Sequence, residues 1–252
     1  LEESNSPVKW AKHVGGDGRD QALALAINEE GNPVVVGETT SEEFPTAGTE
    51  SQNKSDDDGR FGLEKNEKNE KNDKIKVKGN EKILQQPNSN SYHGGSSDAF
   101  VTVLTKDGLT YRKSFFLGAD AEDIARDVTV DGNTIYITGS TTSQEVKSPW
   151  GTLHGGTGDG DKDAFLFQNT ILPTQPDTGQ LINNRSGNQV ANGIDILKDN
   201  EDNKTIVIGG YAEQLYSNTN DGFVALYENI TQSDGEPITY NEIGGNGNDR
   251  IN

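Results

Sequence analysis

Aspartate is the residue type in this chain whose spacing could do chemistry. Asp17 and Asp20 lie three apart in GGDGRD, and Asp120 and Asp123 repeat that spacing in GADAED. Asp159, Asp161 and Asp163 alternate as D-x-D-x-D in TGDGDKDAF. Carboxylate oxygens in glycine-rich turns are the hard ligands that Ca²⁺ takes. Three carboxylates on one short loop repel one another unless a cation or wide solvation relieves them. The competing role is structural, because aspartate hydrogen-bonds the backbone N–H groups of a tight turn without any metal. No Glu stands at the twelfth position after Asp159, so the loop is not an EF-hand.

Other chemistries find less support. The three histidines, His13, His93 and His154, are scattered, and there is no cysteine. That leaves no thiolate metal site, cysteine nucleophile or disulfide framework. His93 and His154 each precede Gly-Gly, as in an esterase oxyanion loop, but no G-x-S-x-G follows. The glycine-rich run from Gly156 to Gly160 lacks a helix behind it and carries the wrong charge for a phosphate. A polysaccharide hydrolase or lyase working with two carboxylates stays open as an alternative, since 41 acids are present. It predicts acids gathered in one central pocket, with at least one raised pKa. Trp150, in SPWGTLHGG, is the candidate exposed aromatic. It could stack on a sugar or cover a hydrophobic edge.

Composition sets the elements that must hold these residues. The chain has 252 residues, 22 basic against 41 acidic, for a net charge of −19. A polyanion of that size is repelled by nucleic acid and by acidic membrane surfaces, so neither is an expected partner. Hydrophobic residues are only 30%, while glycine reaches 30 residues. Apolar runs reach four or five residues, too short for membrane insertion as a helix. The chain opens on Leu1 and contains no Met, which reads as a mature product or part of something longer.

The pattern along the chain is repetitive. VGGDGRDQALALAINEEGNPVVVGETTS from Val14 is matched by LGADAEDIARDVTVDGNTIYITGSTTS from Leu117 and by GNQVANGIDILKDNEDNKTIVIGGYAE from Gly187. A truncated copy begins at Ile243. Between copies stand DAFVTVL from Asp98, DAFLFQN from Asp163 and DGFVALY from Asp221. A further strand-like piece then leads to the next glycine pair, and the opening VKWAKHVGG reads as the same piece. Each unit thus holds four short runs of β-branched and aromatic residues between Gly, Asn, Asp and Thr. In the second unit they are ARDVTV, TIYITG, DAFLFQN and QLINNR. Ala22–Ala26 has helix-forming composition but matches a strand of the second unit, and is read as a strand. Four strands per unit predict an all-β fold of β-propeller blades, each of four antiparallel strands. About three full blades are present, plus partial ones.

The order of Gly15, Gly16, Asp20, Gly31, Asn32, Gly37, Thr39, Ser41, Phe44, Pro45 and Asp98-Ala99-Phe100 resembles the bacterial β-propeller repeat called SBBP. The resemblance covers nearly all of the chain outside one insertion. Unit three departs from it, with Gln189 where Asp20 and Asp123 stand. The resemblance implies an architecture found mostly in secreted or surface-attached bacterial proteins, and names no activity. GGNGNDRIN, from Gly244 to Asn252, is similar to the calcium-binding nonapeptide of RTX proteins and would use Asp249. RTX ions sit between consecutive nonapeptides, whereas copies here stand some 60 or more residues apart, so a turn between blades is the stronger expectation.

Three segments are expected. Residues 1–51 hold the leading strand and the start of the first blade. Residues 52–88 form a disordered charged insertion with nine basic and eight acidic residues, so the body carries −20. Residues 89–252 hold the rest of the first blade, the second and third, and the start of a fourth. Rings close with roughly four to eight blades, so closure needs further blades or a second chain. The expected function is a non-catalytic interaction scaffold of a secreted or surface-exposed bacterial protein, extracellular or on the cell surface. It would engage a protein or polysaccharide, in an adhesion-type role. A calcium-dependent RTX-like structural protein is the first alternative, with Ca²⁺ as its cofactor.

Overall fold

A computed structural model describes residues 8–45, 91–156, 158–171, 177–182, 187–199, 203–213, 219–228 and 239–243. The insertion at 52–88, the C-terminal nonapeptide and Asp249 lie outside the described residues. All regular structure among the described residues is β. Three antiparallel meanders of four strands follow one another. The first runs β1 (Asp20–Ile27), β2 (Pro33–Thr39), β3 (Asp98–Leu104) and β4 (Tyr111–Leu117). The second is built from β5 (Asp123–Asp131), β6 (Thr134–Thr141), β9 (Asp163–Thr170) and β10 (Thr178–Ile182). The third contains β11 (Gln189–Lys198), β12 (Lys204–Glu213), β13 (Asn220–Tyr227) and β14 (Thr239–Ile243). The expected four-strand units are therefore present, and Ala22–Ala26 is strand. Each sheet is open, with strands paired in sequence order. No helix of the described residues is long and apolar enough to cross a membrane.

The repeat is visible in backbone detail. The first strand of each sheet carries a bulge at the same place, between Ala22 and Ala24, Ala125 and Asp127, and Ala191 and Gly193. A bulge bends its strand, and opposite it the partner must lie close. A Cβ on Gly37, Gly139 or Gly210 would lie 1.9, 1.9 and 2.0 Å from the carbonyl oxygens of Gln21, Ile124 and Val190. The glycine of each second strand is thus fixed by the bulge of the first.

The sheets stack face on face. Val36, Val101 and Phe115 of the first sheet pack with Ile137, Phe165 and Phe167 of the second. Tyr136 and Leu166, on the opposite face of the second sheet, pack with Ile194, Ile208 and Phe223 of the third. Side chains alternate along each strand, so one sheet serves two cores. Phe44, after β2, lies on Phe100 and Phe116 on the outer face of the first sheet, with ring centroids 4.7 and 5.8 Å away.

Two local expectations are corrected. The leading run VKWAKHV forms no strand. Side chains hold it in place of a ladder: Trp10 Nε1 donates to Lys106 O at 3.2 Å and Lys12 Nζ to Leu109 O at 3.0 Å, both on the β3–β4 turn. In the other direction, the connection containing Trp150 forms a hairpin of β7 (Glu145–Ser148) and β8 (Gly151–His154). Its strands are four residues each, and only Val146 and Leu153 anchor it in the core, too short a pattern to read from sequence.

Candidate functional site

Asp20 and Asp123 open the first strands of their sheets and occupy the same hydrogen-bonded clamp. Asp20 accepts from Thr39 Oγ1 at 2.5 Å, Ser41 Oγ at 2.9 Å and the Gly16 amide at 2.8 Å. Asp123 accepts from Thr141 Oγ1 at 2.5 Å, Ser143 Oγ at 3.1 Å and the Ala119 amide at 2.8 Å. The T-x-S triplet that ends each second strand is therefore the partner of the aspartate that starts the first. In the third sheet the clamp is lost on both sides, with Gln189 standing opposite Ala212. These three donors occupy most of the roughly four lone-pair sites that a carboxylate could offer a cation.

The other aspartates singled out by spacing do not converge. Asp17 Oδ1 accepts from the Glu43 amide at 3.1 Å. Asp120 is exposed in the turn before β5, near enough to favour the charged form of Lys147. Asp159 accepts from the Asp161 amide and Asp161 from the Gly187 amide, each at 3.0 Å. Asp163 is buried at the start of β9, opposite Thr141. Among the described residues no group of three or more His, Cys, Asp or Glu could hold a metal ion.

The structure does bring two carboxylates together, one of them missed by the spacing argument. Asp98, at the start of β3, is fully buried. Its Oδ2 accepts from the His93 amide at 2.6 Å and lies 3.4 Å from His93 Nδ1. Its Oδ1 is buried with no hydrogen-bond partner among the described residues. A Cβ on Gly118 would meet Asp98 Oδ1 at 2.9 Å and Asp123 Oδ2 at 2.8 Å. The two acids thus face one small space, one from each sheet, where the Asp123 amide also donates to Ser97 O at 2.9 Å. Burial pushes Asp123 up to about 6, and the charge of Asp98 acts in the same direction, while the clamp donors oppose both. At the next junction the Gln189 amide donates to Lys162 O, so a neutral side chain stands in the position of Asp123. The sequence signal for Asp98 was its recurrence at the head of every DAF-type strand.

A second buried cluster lies at the same interface. Lys113 of β4 donates to Asn169 Oδ1 and, at 2.6 Å, to Thr170 O. Its Nζ is 3.7 Å from the centre of the Trp150 ring, which meets Phe115 edge-on at 5.1 Å. Asp177 accepts from Ser148 and Asn169. Burial pushes Lys113 down to about 7, partly offset by the charge of Asp177, and burial pushes Asp177 up. Strand parity reveals Lys113, which shares a face with Phe115 and Leu117. Trp150 covers the edge of the core, and its ring face is taken by the ammonium.

Neither cluster is open to a polymer. Asp98, Asp123 and Lys113 are buried side chains between packed sheets. His154 is exposed and lies 3.4 Å from Glu145 through Nδ1. No family model matches the chain, and no curated protein matches it.

Proposed function

We propose that the chain is a β-propeller segment acting as a non-catalytic interaction scaffold of a secreted or surface-exposed bacterial protein. The observation that carries this reading is the repeated stacking of three meanders, with one face of each sheet always meeting the opposite face of the next. The first strands come together, β1 against β5 and β5 against β11, as strands lining a propeller axis do. The buried polar groups support a scaffold role, because they tie strand ends and sheets to one another instead of lining a cleft. The partner class is protein or polysaccharide, bound across the ends of the sheets.

The test is retention of the purified chain on immobilised bacterial surface polysaccharides and surface proteins, with reducing ends assayed in the same samples. Saturable retention without release of reducing ends supports a scaffold. Release of new reducing or unsaturated ends would replace it with a hydrolase or lyase.

A further inference from the structure

Register makes equivalent residues of the three sheets comparable one by one. Leu25 pairs with Val35, Val128 with Ile137 and Ile194 with Ile208. Val128 and Ile194 point towards the sheet that precedes their own, and Leu25 lies on the equivalent face of the first sheet. Val128 is 5% exposed and Ile194 8%, because a preceding sheet covers each. Leu25 is 64% exposed. The next position repeats the contrast. Val130 and Ile196 pack against the two cores, whereas Ile27 is 61% exposed. Phe44 covers the Phe100–Phe116 end of this face and leaves the β1 end bare.

The third sheet has the complementary defect. Val101 and Leu166, in equivalent positions on β3 and β9, are fully buried under the following sheet. Their counterpart Val224 is only half-buried, as are Val207 and Leu226 on the same face, and Leu197 beside them is 60% exposed. The chain therefore carries both halves of the contact it makes twice within itself, each without its mate among the described residues. Leu25, Ile27 and Val35 form one apolar patch, and Leu197, Val207, Val224 and Leu226 form the other around a single exposed charge, Asp195, which pairs with Val207.

We propose that the outer face of the first sheet is covered by the far face of the third sheet of a second copy of this chain, continuing the interface already made between its own sheets. Two copies joined reciprocally place six sheets around one axis, within the range in which propellers close. The contact is heterologous, joining different patches, and it closes because each copy offers both. The inference rests on the propeller reading. Apolar burial drives the contact while net charge opposes it, so association strengthens with salt.

Sedimentation velocity of the purified chain, at low salt and at about 0.5 M salt, reads the mass, and negative-stain images of the same sample read the shape. The expected result is twice the chain mass, more completely at high salt, in ring-shaped particles. The double variant Leu25→Glu with Ile27→Glu, and the double variant Leu197→Glu with Leu226→Glu, should each sediment as monomers with unchanged far-UV spectra. Mixing the two should restore association, because one intact patch of each kind is then available. A monomeric wild type seen as an open arc of three sheets overturns the second copy and leaves the propeller reading standing. Particles with no common axis overturn the propeller reading itself. A dimer that persists in both variants places the contact elsewhere and overturns the inference.

Discussion

Asp98 and Asp123 face one another across Gly118, the first from the opening of β3 and the second from the opening of β5. One oxygen of Asp98 has no donor among the described residues, while Asp123 is held by three. The pair is the electrostatic weak point of the interface between the first two sheets, because two buried carboxylates at such a distance are costly to ionise together.

That cost has a definite pH signature. The carboxyl of Asp123 titrates near 6 in the folded chain, against an ordinary value of 3.8. A raised acid pKa means that the folded state binds the proton more tightly than the unfolded state does. Its contribution is fully present below about pH 4 and is lost as pH rises through about 6. The full swing is at most about 3 kcal/mol. Denaturant melts across that window should show stability falling with rising pH, and Asp98→Asn should flatten the slope. An unchanged slope in Asp98→Asn would show that the two acids are not coupled.

The clamp makes a prediction that separates its two copies. Thr141→Val removes one donor from a buried carboxylate and should cost about 1–3 kcal/mol. The loss should grow as pH rises and Asp123 ionises. Thr39→Val removes the equivalent donor from Asp20, which is partly open to solvent, and water takes the place of the hydroxyl. Its cost should be less than half as large. Equal losses would mean that solvent access does not matter to the clamp.

Much of this clamp was legible in the sequence as a pattern and illegible as a contact. The recurrence of Asp20 with Thr39 and Ser41, and of Asp123 with Thr141 and Ser143, marked the residues, but not that they bind one another. The strands themselves could be read because packing on both faces leaves short runs of β-branched and aromatic residues between Gly, Asn, Asp and Thr. The hairpin containing Val146 and Leu153 could not, since two inward residues give no period. Asp98 and Gly118 were visible only as repeat members. Their juxtaposition depends on how one sheet docks on the next, which local sequence does not encode. Asp177 and Asn169 were missed for the same reason.

Lys113 predicts the opposite pH behaviour from Asp123. Burial lowers its folded pKa to about 7 from 10.5, so the folded chain holds this proton less tightly than the unfolded chain. The cost is complete below about pH 7 and is relieved as pH climbs towards 10.5. Lys113→Met has no such titration. Between about pH 6 and pH 9.5, wild type should therefore gain on Lys113→Met by up to about 3 kcal/mol. Tyr92, Tyr111 and Tyr136 are all held above their usual value of 10.0 and stay neutral across this range. A constant difference between the two proteins would show that the ammonium keeps its charge in the core.

Calcium is tested by melting the chain in millimolar Ca²⁺ and again in EDTA. A ligand at 100 times its Kd adds about 2.7 kcal/mol to folded stability, which moves Tm by about 5–11 °C in a chain of this size. Asp20 and Asp123 already accept three donors each, and Asp159 and Asp161 are turned onto backbone amides, so no shift beyond about 1 °C is expected from these residues. A shift of several degrees would overturn that assignment and move attention to the buried oxygen of Asp98. Asp98→Asn then decides the location. If the shift vanishes in that variant, the cation sits between the first two sheets. If it persists, the turn aspartates or Asp249 hold it.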